Sequence, residues 1–282
     1  MANVRSRLKQ AIRRLLDSPP VQSVLYAPAL KRSLDHAPFA RKLYKVWDRG
    51  HPFDREFGVD TLGALAEDQI TRDKRLAAQI AGYLGSQPSI VRRSLAALGP
   101  VEEYTLLDFG CGKGRAAIVA SEFPFRQVIG VELSPVLSAQ AHANVAIIAS
   151  RFPERPGITI INANVLEFAL PPGKLAIFAF HPFGAEILAG MVKRLEAALA
   201  GLTPHIFFVY DNPTYADVLD ASPAFQRFSA GIVPYDKSEL GYGVFKHEAV
   251  VIWQSVRGAI RTPHRNIDRK VRIVNGQAEL EE

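Results

Sequence analysis

Cysteine is nearly missing from this 282-residue chain. Cys111, alone, cannot close an internal disulfide. It stands in a glycine-rich loop rather than beside other ligand types at metal-binding spacing, so no metal site is expected. A reducing, cytoplasmic compartment fits that cysteine usage. Long apolar runs are missing too: none approaches the roughly 20 residues that cross a bilayer, and the first residues lack the extended apolar stretch of a secretory signal. No transmembrane segment is therefore expected. Internal repeats and low-complexity tracts are also lacking. What the chain does have is 48% hydrophobic residues, enough at this length for one large α/β domain with an appendage.

Acidic residues are scarce at one end only. The net charge is +6, yet residues 1–50 hold eleven Lys and Arg against three acids, whereas residues 51–256 sum to −4. The first segment, MANVRSRLKQAIRRLLDS, places Val4, Leu8, Ile12, Leu15 and Leu16 at helical spacing, with five Lys and Arg before Asp17. That pattern predicts a basic amphipathic helix. It suits an anionic membrane surface, nucleic acid, an acidic partner or organellar targeting. It equally suits a helix packed on its own domain with a solvated basic face.

Residues 1–100 read as helices broken at Pro19, Pro20, Pro28, Pro38, Pro52 and Gly58, with a later amphipathic stretch from Ser89 to Leu98: a helical N-terminal extension or cap. From Tyr104 the texture changes to β-rich runs alternating with helical stretches. The runs are YTLLDF, QVIGVEL, GITIINA, KLAIFAF, HIFFVYD and FKHEAVVIWQS. Alternation of this kind predicts βαβ units and a mainly parallel sheet over residues 101–256. Ser134 and Pro135 supply an N-cap and a first helical position. Residues 257–282 form a mixed-charge tail, expected to lie over the surface or to be partly disordered.

The informative segment is LLDFGCGKGR, where an apolar strand ends at Asp108 and Gly110, Gly112 and Gly114 open a helix. Glycine belongs where backbone turns tightly and must approach a ligand closely. Twenty-four residues after Asp108 the next strand ends in Glu132, a carboxylate that can accept both hydroxyls of a ribose. A third strand ends near Asn162-Ala163-Asn164, where an amide can bond an adenine edge. A nicotinamide or flavin site would call for G-x-G-x-x-G, whereas this loop is G-x-G-x-G. Taken singly, Glu132 could be a helix-capping acid and Asn164 a turn residue; their joint spacing points to a nucleoside.

On these residues the chain resembles the class I S-adenosylmethionine-dependent methyltransferase superfamily over about residues 100–255. DFGCGKG matches its acid–x–G–x–G–x–G loop, Glu132 in GVELS its second-strand acid, and Asn164 in NVLEF its third-strand polar residue. The resemblance implies an α/β fold: a doubly wound, mainly parallel, seven-stranded Rossmann-like sheet with S-adenosyl-L-methionine as cofactor. It implies that Asp108 and the 110–114 loop hold the methionine half, that Leu133 borders the adenine, that Asn164 meets the adenine amine, and that Val165 beside it also binds the cofactor. DFGCGKGR and GVELSP are most similar to a bacterial subgroup distantly like protein-lysine methyltransferases.

Methyl transfer is an in-line displacement, so positioning and water exclusion matter more than strong acids. The fourth strand ends in His181-Pro182-Phe183, where many amino-methylating members of the superfamily carry Asn/Asp-Pro-Pro-Tyr/Phe. Histidine can accept a hydrogen bond or act as a base, but lacks the amide's paired donor and acceptor. His181 is thus either a catalytic, acceptor-contacting residue or a strand-end histidine, and O-methylation stays open. Phe183 reads as a pocket wall. The fifth strand ends at Tyr210, Asp211 and Asn212, with Asp211 a candidate to face an acceptor amine, Tyr210 to touch substrate, and Asp-Asn-Pro equally a turn. Tyr83 or Ser89 is expected near the methionine end.

The expected activity is methylation of a nitrogen or oxygen acceptor, a protein or peptide side chain first and a small metabolite second. The rival from another class is a nucleic-acid or membrane-surface binder using the sheet as scaffold, which the basic arm favours and the cofactor constellation opposes.

Overall fold

The structure, a computed structural model, describes residues 50–201, 203–243, 245–259, 267–274 and 277–281. The basic helix expected at the N-terminus lies outside them. The described chain begins with α1 (Pro52–Phe57), β1 (Ala64–Leu65), α2 (Glu67–Ile70), α3 (Lys74–Ala77), β2 (Tyr83–Leu84) and α4 (Pro88–Ala96). The part of the expected helical cap that is described is therefore mixed, since β1 and β2 pair antiparallel. Nor is α4 an outlying element. Its Ile90, Val91 and Leu95 are fully buried in the cluster that also holds Leu106 of the sheet.

The sheet proper comprises β3 (Tyr104–Phe109), β4 (Gln127–Glu132), β5 (Ile158–Asn162), β6 (Lys174–Phe180), β7 (Ile206–Asp211), β8 (Phe225–Pro234) and β9 (His247–Ser255). Its order is β5-β4-β3-β6-β7-β9-β8, parallel from β5 to β7 and antiparallel at both pairings of β9. This is the seven-stranded, mainly parallel sheet expected. Helices α5 (Arg115–Ala120), α6 (Pro135–Arg151), α7 (Ala185–Ala200) and α8 (Ala216–Asp220) make the crossovers. Every residue of β3 and β7 is buried, as the near-continuous apolar runs of strands covered on both faces require. Alternate residues feed two cores. Leu106, Phe178, Val209 and Ile252 face α4 and α5, while Leu107, Ile177, Phe208 and Trp253 face α7 and α8.

One strand of the seven escapes periodicity. β8 carries a bulge between Arg227 and Ser229, which breaks the two-residue alternation that marks a strand in sequence. In the tail, β10 (Val271–Val274) and β11 (Gln277–Leu280) form a hairpin whose Ala278 is buried. Its backbone N–H donates to Asn212 Oδ1 at 2.7 Å, so this part of the tail is docked. Among the described residues no helix is long and apolar enough to cross a membrane.

Strand order reverses between β3 and β6: from β3 the chain proceeds outward through β4 and β5, then returns to β6 and runs the other way. A crevice outside the carboxyl ends of β3 and β6 is where such sheets bind ligands.

Candidate functional site

A cleft opens at that reversal, and it gathers residues from strand ends far apart in sequence: Asp108, Glu132, Asn164 and Phe180. The loop after β3 makes its floor. Gly110, Gly112 and Gly114 have φ of 73°, 56° and 86°, left-handed values that L side chains resist. Close packing adds a second reason for two of them. A Cβ on Gly110 would lie 2.7 Å from Pro182 Cβ, and one on Gly112 would lie 2.2 Å from the Tyr83 ring. Part of what the sequence assigns to ligand approach is thus close contact with the protein's own walls.

Asp108 is 3% exposed and its Oδ2 accepts the Ala117 N–H at 3.0 Å, tying the strand end to the first turn of α5. Burial pushes its carboxyl up to about 7, and the charge of Glu132 adds to the rise. Glu132 accepts Gly112 N–H at 2.8 Å through Oε2 and Ser134 N–H at 2.7 Å through Oε1. Burial raises its pKa while those backbone donors oppose the rise. Each oxygen keeps a further lone pair, so both capping and ligand binding are open to Glu132. Asn162, which the sequence reading passed over for Asn164, donates its Nδ2 to Glu132 O and Leu133 O and fastens two strand ends together.

Leu133, Asn164 and Val165 all line the cleft. Asn164 also makes the turn foreseen for it, its Oδ1 accepting Leu166 N–H at 3.0 Å. Arg194 of α7 holds this turn from beneath by donating to Val165 O and Phe168 O. Phe183 lines the cleft as well, with Pro182 and Tyr83. Ser89 does not. Its N–H and hydroxyl both go to Glu239, which corrects its expected place at the methionine end.

His181, Tyr210 and Asp211 stand at the carboxyl edge, but none lines the cleft. His181 has φ 39°, a conformation that costs on the order of 1–3 kcal/mol outside glycine. Its Nδ1 lies 2.5 Å from Thr214 Oγ1 and 3.4 Å from Tyr210 OH, and burial lowers its pKa. Tyr210 is 1% exposed, and burial pushes its phenol up to about 12. Asp211 is fully buried, and neither of its carboxylate oxygens has a hydrogen-bond partner among the described residues. Burial and the nearby charge of Glu248 raise its pKa. Tyr210 and Asp211, expected to face an acceptor, are both buried, because β7 is covered on both faces.

Arg115, the last letter of DFGCGKGR, carries more than the sequence reading gave it. It is 3% exposed and lines the cleft. Nε donates to Thr61 Oγ1 at 2.6 Å, Nη2 to Thr61 O at 2.8 Å, and Nη1 to Gly85 O and Ser86 O at 3.1 and 3.3 Å. Tyr83 OH donates to the same Thr61 carbonyl at 2.7 Å, and Lys113 Nζ reaches Leu62 O at 2.7 Å. Residues 60–86 are in this way buttoned onto the glycine loop. Their bonds run between positions tens of residues apart, which left no signal in the linear pattern.

No protein-family model matches the chain. Over 102 residues it is 36% identical to a ribosomal protein L11 methyltransferase of Tolumonas auensis, a stretch covering 36% of this chain and 31% of that relative. The protein of the same name from Thiobacillus denitrificans is 33% identical over 97 residues, covering 34% of this chain and 28% of that one. The chain thus spans about a third of the length of these curated relatives. Among solved structures, the 23S rRNA methyltransferase ErmE covers 63% of this chain and 70% of its own, at 19% identity and a TM-score of 0.41. A ribosomal protein L11 methylase from Lactobacillus delbrueckii subsp. bulgaricus covers 58% and 76%, at 16% identity and a TM-score of 0.38. In its sheet architecture, its D-F-G-C-G-K-G loop and its stretch of sequence similarity to the curated relatives, the chain is similar to the class I S-adenosylmethionine-dependent methyltransferase superfamily.

Proposed function

We propose that this chain uses S-adenosyl-L-methionine to methylate a nitrogen or oxygen acceptor, with a protein or peptide side chain as the first choice. The observation that carries the reading is Glu132, a nearly buried carboxylate in the cleft whose two oxygens each hold one backbone N–H and keep a lone pair free. That is the pair of acceptors a ribose diol needs. The residues around it fit the rest of the group: Leu133 and Val165 for the faces of an adenine, Asn164 for its edge, and Asp108 with the 110–114 loop for the methionine half.

The cofactor supplies a methyl group activated on a sulfonium. The chain's own part is to hold the acceptor on line at about 3–3.5 Å and to exclude water. Tyr83, Pro182 and Phe183 wall the cleft for that purpose. His181 is our choice of base for an acceptor that must lose a proton, because burial lowers its pKa and keeps the ring neutral at pH 7. It is flanked by Phe180 and Pro182, which both line the cleft.

The names of the curated relatives, which modify a ribosomal protein, support a protein acceptor. A small-molecule acceptor is the second reading, favoured by Ile70, Leu76 and Ile80, which cover the cleft with apolar surface. Calorimetric titration with S-adenosylhomocysteine tests the cofactor: saturable binding by the wild-type protein, weakened roughly 100-fold or more in Glu132→Ala by the loss of two charge-assisted hydrogen bonds, is expected. No binding by the folded wild-type protein overturns the proposal and restores the scaffold reading. Label transferred from the methyl donor into the protein fraction of a bacterial lysate supports the first acceptor, and label in the small-molecule fraction the second.

A further inference from the structure

Among the described residues, Arg115 is a buried cation without a direct counter-ion. The four contacts of its guanidinium all end on neutral oxygens: the Thr61 hydroxyl and the carbonyls of Thr61, Gly85 and Ser86. A guanidinium has five N–H groups. One hydrogen on Nη2 is therefore left without an acceptor among the described residues. Asp54 stands closest in the network, but its carboxylate is taken by the N–H and hydroxyl of Thr61 and by Leu62 N–H at 2.8 Å. Thr61 thus separates the two charges.

Desolvating a cation without pairing it is unfavourable, and a guanidinium is the side chain best shaped to receive a carboxylate. Arg115 lines the cleft together with Asp108, Gly112 and Tyr83, where the reading above puts the methionine half of the cofactor. The group expected there is the amino-acid part of the methyl donor, whose ammonium suits Asp108 and whose carboxylate has no other cation assigned to it. We propose that Arg115 is the receptor for the α-carboxylate of the cofactor, held in place by the Thr61 and Gly85-Ser86 carbonyls of the segment that covers the cleft. Gly85 is required by this arrangement, since a Cβ there would lie 2.8 Å from the Arg115 guanidinium carbon.

The inference rests on the cofactor reading, and its test separates the two. Titrate the full chain with S-adenosylhomocysteine and with the amine obtained by removing its carboxyl group, in the wild-type protein, Arg115→Lys and Arg115→Gln. Wild type should bind the carboxylate-bearing ligand at least about tenfold more tightly than the amine, the amount one charge-assisted bond supplies. Arg115→Gln should bind the two within about threefold of each other, with Arg115→Lys between. A purely structural Arg115 predicts that both ligands weaken alike in the variants, and that result overturns the inference while leaving the cofactor reading intact. Equal wild-type affinities overturn it without any variant, so a misfolded Arg115→Gln does not spare it. Failure of the folded wild type to bind S-adenosylhomocysteine at all removes the cofactor reading and this inference with it.

Discussion

The carboxyl edge of the sheet carries buried acids at two places, and they are treated differently. At the cleft, Asp108 accepts one backbone N–H and Glu132 two. Two strands away, neither carboxylate oxygen of Asp211 has a hydrogen-bond partner among the described residues, and Glu248 beside it accepts the Tyr235 hydroxyl through Oε1. Backbone N–H groups fix an oxygen in place and favour its charge, so the first pair is ready for a ligand. Burial raises the pKa of both members of the second pair and favours their protonated forms. Burial alone therefore does not mark a functional acid; the donors aimed at it do.

The harshest way to break the contrast is Gly112→Val. It puts a branched side chain at φ 56° into the Tyr83 ring, and a loss of roughly 2–4 kcal/mol in denaturant midpoint stability is expected, with cofactor binding abolished. Binding at wild-type strength would show that the loop does not form the site. Asp108→Asn sharpens the contrast. Because Asp108 titrates near 7, it is mostly neutral at pH 6 and mostly ionised at pH 8. Wild-type affinity for S-adenosylhomocysteine should then rise across that window by up to about tenfold, and the variant's should stay flat.

At the other pair the pH effect has the opposite sense. Glu248 goes from its ordinary 4.5 up to about 7 in the folded protein, so between those values the native state binds more protons than the unfolded chain. Stability is fully present below the lower value and is lost as pH rises through the upper one. Glu248→Gln should remove that fall. At pH 8 each 1 kcal/mol gained would raise Tm by roughly 2–4 °C, read by a thermal melt at pH 5 and pH 8. A variant that tracks wild type at both pH values would refute the raised Glu248 pKa. The smallest effect belongs to His181→Ala, whose ring lies outside the cleft: S-adenosylhomocysteine affinity should move less than about twofold by calorimetry, since changes away from a binding contact are near neutral.

Legibility in the sequence followed locality. β3, β4 and β6 and the positions of Asp108, Glu132 and Asn164 were readable because apolar runs, a glycine loop and the acid after the next strand are patterns along the chain. β8 was not, because the bulge at Arg227 to Ser229 erases its period. The hairpin of β10 and β11 was hidden because its few apolar residues, Ala278 among them, are buried against partners far away in sequence.

The sequence by itself determined the parallel sheet, the glycine loop and the acids at its strand ends, since each depends on neighbours within a few residues or on one βαβ repeat. Only the tertiary structure decided which polar residues reach the cleft. It buried Tyr210 and Asp211 because β7 is covered on both faces. It sent Ser89 to Glu239, and it brought residues 60–86 across the glycine loop to hold Arg115. A side chain's direction and its partners are properties of packing, and packing joins positions that no spacing in the chain relates.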